Sequence, residues 1–149
     1  KYTRANMDLE QVFDKQKRDG CKYVVGFDPS QGLGKDYSVL VAVRQESDGS
    51  LCVANVWRRN DFSPDRQADM IGAWCKRYGA PLAAEDVGFQ RLFKSLLEAK
   101  GIGVEYRESK VSNKGLKQGL LNRLRVWFER EKIQFPYGND ARLEIRRHC

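Results

Sequence analysis

Three short apolar runs stand out in the first part of the chain. They read YVVGF, YSVLVAV and LCVANVW, and each is rich in the β-branched and aromatic residues that favour buried strands. A polar stretch separates the last two runs, and its Asp48 followed by Gly49 is a typical signal for a hairpin turn. The pattern therefore predicts three consecutive strands, most simply an antiparallel meander.

The apolar spacing then changes to that of an amphipathic helix. The stretch SPDRQADMIGAWCKRYG begins with Ser63 as a candidate N-cap and Pro64 at the first helical position, and Gly79 would end it. Its apolar side chains recur at helical spacing and share one face: Ala68, Ile71, Trp74, Cys75 and Tyr78. A short strand, PLAAED, is predicted directly after this helix.

The same alternation of helix and strand continues towards the carboxyl end. GFQRLFKSLLEAKG is predicted to be a second helix, GVEY a strand and KGLKQGLLNRLRVWFEREK a long helix. NDARLEIRRHC is predicted to begin a last helix at an Asn139 cap. The side chains expected to face inward are Phe89, Leu92, Phe93, Leu96 and Leu97 in the second helix and Leu116, Leu120, Leu124, Trp127 and Phe128 in the long helix.

The predicted order β-β-β-α-β-α-β-α-α indicates an α/β domain. Helices that alternate with the later strands imply right-handed crossovers and a partly parallel sheet. A three-strand meander followed by αβαβα is the order of the ribonuclease H-like fold, which has a mixed central sheet flanked by helices. Before it, MDLEQVFDKQKRDG indicates a short helix that Gly20 would end. We therefore divide the chain into a linker with this helix over residues 1–20 and one domain over residues 21–149.

The glycine-rich stretch SQGLGKD raises the question of a phosphate-binding loop. Such a loop needs a glycine five positions before its Gly-Lys pair, a Ser or Thr after the pair, and a helix that follows at once. Here Pro29 stands in place of the first glycine, Asp36 follows Lys35, and the next run, YSVLVAV, is a predicted strand. The sequence therefore argues against a nucleotide phosphate loop.

Acidic residues end two strands that this fold order places side by side. Asp28 ends the first predicted strand, and Glu85 and Asp86 end PLAAED, while Asp36 precedes the second strand. An aspartate at a turn is common and needs no further role. Two carboxylates on neighbouring strand ends, however, suit one or two hard divalent cations, which assist phosphoryl displacement. We therefore predict a metal site at Asp28 and Glu85.

The chain carries a formal net charge of +7, and the surplus lies towards its carboxyl end. From Arg107 to Cys149 there are eleven Lys or Arg residues and five Asp or Glu residues. Within that region, KVSNKGLKQGLLNRLR contains five basic residues and no acid. This distribution favours a polyanionic partner such as nucleic acid. A solvated helix face explains the same charges equally well.

Several other kinds of chemistry are disfavoured. The four cysteines are scattered without a CxxC pair, and the one histidine, His148, stands beside Cys149. This spacing disfavours a structural zinc site and hydrolases that need a catalytic histidine. No stretch is apolar enough to span a bilayer. Because the chain starts at Lys1, we expect it to be a soluble piece of a longer protein.

Three stretches of the chain carry a resemblance to a known family. They are YVVGFDPSQGLGKDYSVLVAV, APLAAEDVGFQRLFKSLLEAKGIGVEY and SNKGLKQGLLNRLRVWFEREKIQFP. In their order and character they resemble the C-terminal nuclease domain of the large terminase subunit of tailed bacteriophages, over residues 21–147. The resemblance implies a ribonuclease H-like, metal-dependent endonuclease that cuts concatemeric double-stranded viral DNA during genome packaging, with two Mg²⁺ or Mn²⁺ ions. It also implies a terminase ATPase domain, a small terminase subunit and a portal protein as partners, in the host-cell cytoplasm and without a membrane.

The resemblance implies roles for single residues as well. Asp28 is similar to the family's first metal-binding aspartate and Glu85 to its second acid, while Asp36 resembles an auxiliary acid or simply caps its strand. The DNA contacts expected on the same basis are Lys35, Lys110, Lys114, Lys117 and Arg123. The family's third metal-binding acid belongs to an Asp-Asp motif beyond the last helix seen here. We therefore expect a domain that is truncated at Cys149 and cuts weakly.

Two other functions are compatible with the same residues. A junction resolvase or a transposase core, also ribonuclease H-like phosphotransferases, would use Asp28 and Glu85 in the same way. A non-catalytic module that grips DNA or docks on a portal protein would keep these acids as ordinary turn residues.

Overall fold

The computed structural model describes residues 9–12, 14–85, 90–109 and 114–134. Among these residues no helix is both long enough and apolar enough to cross a membrane. In chain order the strands and helices are β1 (Leu9–Val12), β2 (Lys22–Asp28), β3 (Ser38–Gln45), β4 (Leu51–Arg59), α1 (Pro64–Tyr78), β5 (Leu82–Glu85), α2 (Gln90–Ala99), β6 (Tyr106–Ser109), α3 (Lys114–Glu129) and β7 (Ile133–Gln134).

A mixed sheet runs through the domain in the strand order β1-β4-β3-β2-β5-β6, and β7 pairs with β4 as well. Strands β2, β3 and β4 form the antiparallel meander expected from the sequence. In the turn between β3 and β4, the Asp48 carboxylate accepts a hydrogen bond from the N–H of Ser50 at 2.8 Å, and Gly49 has a φ of 85°. Strands β5 and β6 then run parallel to β2, as predicted for the later strands.

Helix α1 begins and ends where its sequence signals predict. The Ser63 hydroxyl accepts a hydrogen bond from the N–H of Arg66 at 3.3 Å, and Pro64 is the first helical residue. Gly79 ends the helix in the left-handed region, with a φ of 56°. The predicted face is buried, and its members are Ala68, Ile71, Trp74, Cys75, Tyr78 and, in addition, Gln67.

The core lies between α1, α2 and one face of the sheet. Val25, Leu40 and Leu82 come from three neighbouring strands and are fully buried. Phe27 of β2 meets Phe93 of α2 edge to face, with 4.9 Å between the ring centres. Burial of this apolar surface is the main force that holds the helices on the sheet.

The helix predicted over MDLEQVFDKQKRDG is wrong, because neither residues 9–12 nor residues 14–20 form a helix. Leu9–Val12 form the strand β1, which pairs antiparallel with β4 from Arg58 to Asn55. Without β1 this edge of β4 would expose unpaired N–H and C=O groups, so strand pairing prevails over the helical pattern. Residues 1–8 and residue 13 lie outside the described residues, and the boundary at residue 20 stays a prediction.

Two short strands also differ from expectation. The strand predicted at GVEY starts instead at Tyr106 and ends at Ser109, because its parallel pairing with β5 begins where Leu82 meets Tyr106. Strand β7 was not predicted and consists of Ile133 and Gln134 alone. A strand of two residues carries too little pattern to be found without knowledge of its partner.

The side of α3 that was expected to be buried is exposed. Leu124, Trp127 and Phe128 leave 46%, 37% and 44% of their surface accessible. An apolar stripe therefore predicts a helix here correctly, but not what packs against it.

In α2 the inward face is narrower than expected. Phe93 and Leu97 are buried and Leu96 is half-buried, which confirms these three predictions. The prediction for Leu92 is wrong, because this side chain lies about 100° around the helix from Phe93 and is exposed. Outside the described residues or side chains lie Phe89, Leu116, Leu120 and the helix expected from Asn139.

A buried ionic cluster ties the segment before β2 to the sheet. The Asp14 carboxylate is buried and pairs with the guanidinium groups of Arg44 and Arg18. It also accepts a hydrogen bond from the Tyr23 hydroxyl at 3.0 Å. Burial opposes the charge of Arg44, but hydrogen bonds to Asp14 and Glu46 hold its pKa above the ordinary value. Removing one partner would leave a buried charge unpaired, so we assign the cluster a structural role.

Candidate active site

Three parallel strands, β2, β5 and β6, end at the same edge of the sheet. Asp28 is the last residue of β2, and Glu85 is the last residue of β5. The paired residues of the two strands end at Gly26 with Ala83, and Asp28 and Glu85 each lie two residues further along their strands. Adjacent strands lie about 4.8 Å apart. The two acids that the sequence singled out therefore end neighbouring strands.

Solvent reaches the edge where these two positions lie. Asp28 is exposed there. On β5 the small residues Ala83 and Ala84 precede Glu85, which the structure describes by its backbone alone. Glu85 pairs on its other side with Ser109 of β6. The roles of Asp28 and Glu85 as metal ligands stay predictions.

Carboxylates are the donors that this edge offers to a cation. Oxygen ligands of this kind suit hard divalent ions such as Mg²⁺ and Mn²⁺. Among the side chains that the structure describes, no three His, Cys, Asp or Glu residues converge on one point, and Glu85 is outside that set. Carboxylate oxygens are donors of the kind that a hard cation takes, and Asp28 and Glu85 are the acids that end the neighbouring strands β2 and β5.

The loop between β2 and β3 is held against the connection that leads into α1. Gly32 has a φ of 73°, and a Cβ at this position would lie 2.0 Å from the carbonyl oxygen of Phe62, so only glycine fits. The N–H of Gly34 donates to the carbonyl oxygen of Asn60 at 2.9 Å. In return, Nδ2 of Asn60 donates to the carbonyl oxygen of Gly34 at 3.1 Å. The loop leads into a strand, as the argument against a phosphate loop requires.

Two more of the predicted site residues, Lys35 and Asp36, lie near the end of this loop and are exposed. Just beyond them, Val39 of β3 pairs with Asp28. The loop therefore brings an acid and a base to the same edge of the sheet as Asp28. Whether Asp36 assists the metal or only precedes its strand stays a prediction.

A buried hydrogen-bond network lies beside this loop, and sequence reasoning missed it. The Gln67 Oε1 accepts from the Ser38 hydroxyl at 2.7 Å. The Gln67 Nε2 donates to the carbonyl oxygens of Ser30 at 2.9 Å and Phe62 at 2.7 Å. The sequence did carry a signal, because Gln67 precedes Ile71 by one helical turn and so falls in phase with the apolar face of α1.

Positive charge also reaches this edge. Arg59, the last residue of β4, pairs with Asp61 at 2.7 Å, and its hydrogen bond holds the pKa of Asp61 below the ordinary value. In the first turn of α1, the Arg66 guanidinium lies 3.8 Å from the centre of the Phe62 ring. Both arginines therefore lie beside Phe62, whose carbonyl oxygen confines the loop after β2.

The other predicted DNA contacts belong to α3 or precede it. Lys114 and Lys117 lie in its first turn and are described by their backbone alone, and Lys110 lies outside the described residues. Arg123 is exposed. Contact of these residues with DNA stays a prediction.

The fold can be compared with solved structures of known proteins. It matches the large terminase nuclease of the thermophilic phage G20c with bound magnesium at a TM-score of 0.68 and 24% identity, over 82% of this chain and 61% of that chain. With bound zinc the same nuclease matches at a TM-score of 0.70 and 23% identity, over 89% and 73% of the two chains. With bound cobalt the TM-score is 0.67 at 24% identity. This chain has the fold of the large terminase nuclease.

The likeness confirms the predicted ribonuclease H-like architecture and, at the level of the fold, the resemblance to phage terminase nucleases. No family model matches the chain, and no curated protein matches its sequence. The chain spans 61% of the length of the first structures that it matches. At these identities the comparison shows the fold, and the function has to be argued from the site.

Proposed function

We propose that this chain is a divalent-metal-dependent endonuclease domain that hydrolyses the phosphodiester backbone of double-stranded DNA. The observation that carries the proposal is that Asp28 and Glu85 end two neighbouring parallel strands at the carboxyl edge of a ribonuclease H-like sheet. Two carboxylates on adjacent strand ends repel each other unless a cation lies near both. A bound cation would relieve this repulsion and would explain why both strands end in an acid.

The proposal assigns each candidate residue a part. Asp28 and Glu85 would hold one or two Mg²⁺ or Mn²⁺ ions. When bound, such an ion stabilises the negative charge that develops on the phosphate oxygens during hydrolysis. Asp36 would help to hold the site from the neighbouring loop, and Lys35 would contact the phosphate backbone. Further contacts with the backbone would come from Lys110, Lys114, Lys117 and Arg123.

The biological substrate that we propose is concatemeric viral DNA, cut during genome packaging in the host-cell cytoplasm. The fold likeness to the nuclease of a phage large terminase supports this setting, as does the net charge of +7. The partners would then be a terminase ATPase domain, a small terminase subunit and a portal protein.

Cleavage of supercoiled plasmid DNA tests the proposal. With Mn²⁺ or Mg²⁺ the chain should convert the plasmid to nicked and linear forms, and EDTA should abolish the conversion. Asp28→Asn and Glu85→Gln should each lower the rate at least about 100-fold without changing the circular dichroism spectrum, because each removes a charged metal ligand. The matched control is Glu98→Gln, which removes an exposed acid on α2 and should cut like the unsubstituted chain.

The outcomes also separate this function from the other two readings. A strong preference for four-way junctions over linear duplex would indicate a junction resolvase. DNA binding that is insensitive to Mg²⁺, with no cleavage by the unsubstituted chain, would indicate a module that only grips DNA. Full cleavage by both Asp28→Asn and Glu85→Gln would reject the site.

A further inference from the structure

Gln67 is a buried polar residue on the apolar face of α1. Its side chain is fully buried, at a helical phase that Ile71 and Trp74 share. An apolar side chain of similar size would fill this space without any need for hydrogen bonds. Burial of an amide is unfavourable unless each of its polar atoms is paired. The buried amide of Gln67 therefore indicates that hydrogen bonds at this place fix the local geometry, in addition to the space that the side chain fills.

Every polar atom in the network around Gln67 has a partner, and this determines the direction of each bond. The Nε2 group uses both hydrogens, towards the carbonyl oxygens of Ser30 and Phe62. The Ser38 hydroxyl uses its one hydrogen on Gln67, so it accepts from both the N–H and the hydroxyl of Ser30, each at 2.9 Å. The hydroxyl oxygen of Ser30 in turn accepts a hydrogen bond from the N–H of Gly32 at 3.2 Å.

The network holds the backbone that directly follows Asp28. Ser30 is bound at its N–H, its carbonyl oxygen and its hydroxyl. Only Pro29, whose ring restricts the backbone, separates Ser30 from Asp28. The backbone that leaves β2 at Asp28 is therefore held by Gln67 of α1 together with Ser38 of β3.

We propose that Gln67 is a positioning residue that acts through Ser30 to set the orientation of Asp28 towards a bound divalent cation. This inference rests on the proposed function, because it needs a cation at Asp28. Gln67 itself does not touch the cation. Its loss should loosen the loop after β2 and weaken cation binding while the sheet stays folded. Groups that orient a metal ligand from behind typically change affinity or activity by about 10–100-fold when they are removed.

Binding of Mn²⁺ to the chain, followed by electron paramagnetic resonance of the free ion, tests this role without relying on cleavage. Gln67→Met keeps the length of the side chain, removes its three hydrogen bonds, and should weaken Mn²⁺ binding about tenfold or more. Ser38→Ala removes the shared hydroxyl and should act in the same direction. If Gln67→Met does not fold, Mn²⁺ binding by Ser38→Ala tests the positioning role instead.

The matched control is Tyr78→Phe, at the other end of α1. It removes the hydroxyl that donates to the carbonyl oxygen of Asp14 at 2.7 Å and accepts from Nδ2 of Asn55 at 3.1 Å. This variant should lower thermal stability and leave Mn²⁺ binding unchanged. If it weakens Mn²⁺ binding as much as Gln67→Met, the effect reflects general stability and the positioning role is overturned.

Asp28→Asn, measured in parallel, separates the two proposals. Weakened binding by Asp28→Asn together with unchanged binding by Gln67→Met and Ser38→Ala would overturn the positioning role alone. Unchanged binding by Asp28→Asn would overturn the metal site and, with it, the positioning role. Weakened binding by Asp28→Asn, Gln67→Met and Ser38→Ala, with normal binding by Tyr78→Phe, is the expected result.

Discussion

At the scale of single residues, backbone geometry constrains the loop beside the candidate site. Gly32 and Gly34 lie in the same loop, and both have positive φ values, of 73° and 81°. A Cβ on Gly32 would collide with the Phe62 carbonyl, whereas a Cβ on Gly34 would meet no atom within 4 Å. Alanine substitutions at the two glycines therefore separate the free-energy cost of a positive φ from that of a steric collision.

Gly32→Ala is expected to lower the free energy of unfolding by more than about 2 kcal/mol, because strain and collision add. Gly34→Ala should cost about 1 kcal/mol, because only the positive φ opposes it. Urea unfolding followed by circular dichroism measures both values. Equal losses in the two variants would show that Phe62 does not confine the loop.

Cys75 gives a prediction for the dependence of stability on pH. Burial raises the pKa of this thiol from about 9 to about 11. The folded chain therefore keeps a proton that the unfolded chain loses, and the contribution to stability is complete below about pH 9 and declines towards about pH 11. Between these two pH values, the free energy of unfolding of the unsubstituted chain relative to that of Cys75→Ala should fall by about 1.4 kcal/mol per pH unit.

Urea unfolding of both chains at several pH values between 8 and 11 checks this decline. Below about pH 9 the difference between the unsubstituted chain and Cys75→Ala should be constant, because the thiol is protonated in both states. A difference that stays constant up to pH 11 would show that Cys75 ionises in the folded chain as it does in the unfolded one.

At the scale of elements, the sequence predicted those whose signals are local. Helix α1 has its cap, its proline and its closing glycine within its own stretch, and its observed bounds are those predicted. Strand β1 was missed because its conformation depends on the open edge of β4, far along the chain. The exposed side of α3 was misjudged for a related reason, since an apolar stripe does not reveal whether a partner is present.

The same contrast between local signals and contacts distant in the chain applies to the candidate site. The positions of Asp28 and Glu85 at neighbouring strand ends could be predicted because the place of each strand in the sheet follows from the element order, whereas their role as metal ligands stays a prediction. Gln67 could not be assigned a role in advance, because its partners Ser30 and Phe62 belong to loops whose course the apolar pattern does not determine. Its phase in α1 would have identified it only as an unusual buried polar residue.

The exposed side of α3 gives a prediction for tryptophan fluorescence. Trp57 and Trp74 are buried, whereas Trp127 is exposed. Iodide in solution should therefore quench the emission of Trp127 alone, and Trp127→Phe should remove the quenchable fraction. Trp74→Phe, as the control, should leave that fraction in place. Emission that iodide does not quench at all would show that this side of α3 is covered in solution.

At the scale of the whole molecule, the net charge of +7 predicts DNA binding that weakens steeply with salt. Lys114→Ala with Lys117→Ala should weaken binding to all duplex sequences alike and lower the slope of log affinity against log salt by about 1.8, or about 0.9 for each lost phosphate contact. Fluorescence anisotropy with a labelled duplex between 50 and 200 mM salt, a range in which such slopes are about linear, measures this change.

The control for this measurement removes the same charge elsewhere. Lys76→Ala with Arg77→Ala takes two exposed basic residues from the last turn of α1, away from the edge that carries Asp28. This pair should leave the salt slope nearly unchanged. A slope that responds to the control pair and not to the lysines of α3 would place the DNA surface on another side of the domain.

The outer edge of β4 is shared by β1, along Asn55 to Arg58, and by β7, along Leu51 and Cys52. The first and the last described strands thus meet on one flank of the sheet. Asp28 lies three strand spacings away from β1 and β7, about 14 Å across the sheet. A surface linker or a fluorescent dye placed beside β7, which pairs with the opposite end of β4, would therefore leave the acidic edge open. The same flank offers an attachment point for immobilising the protein in single-molecule experiments that observe DNA at the edge carrying Asp28.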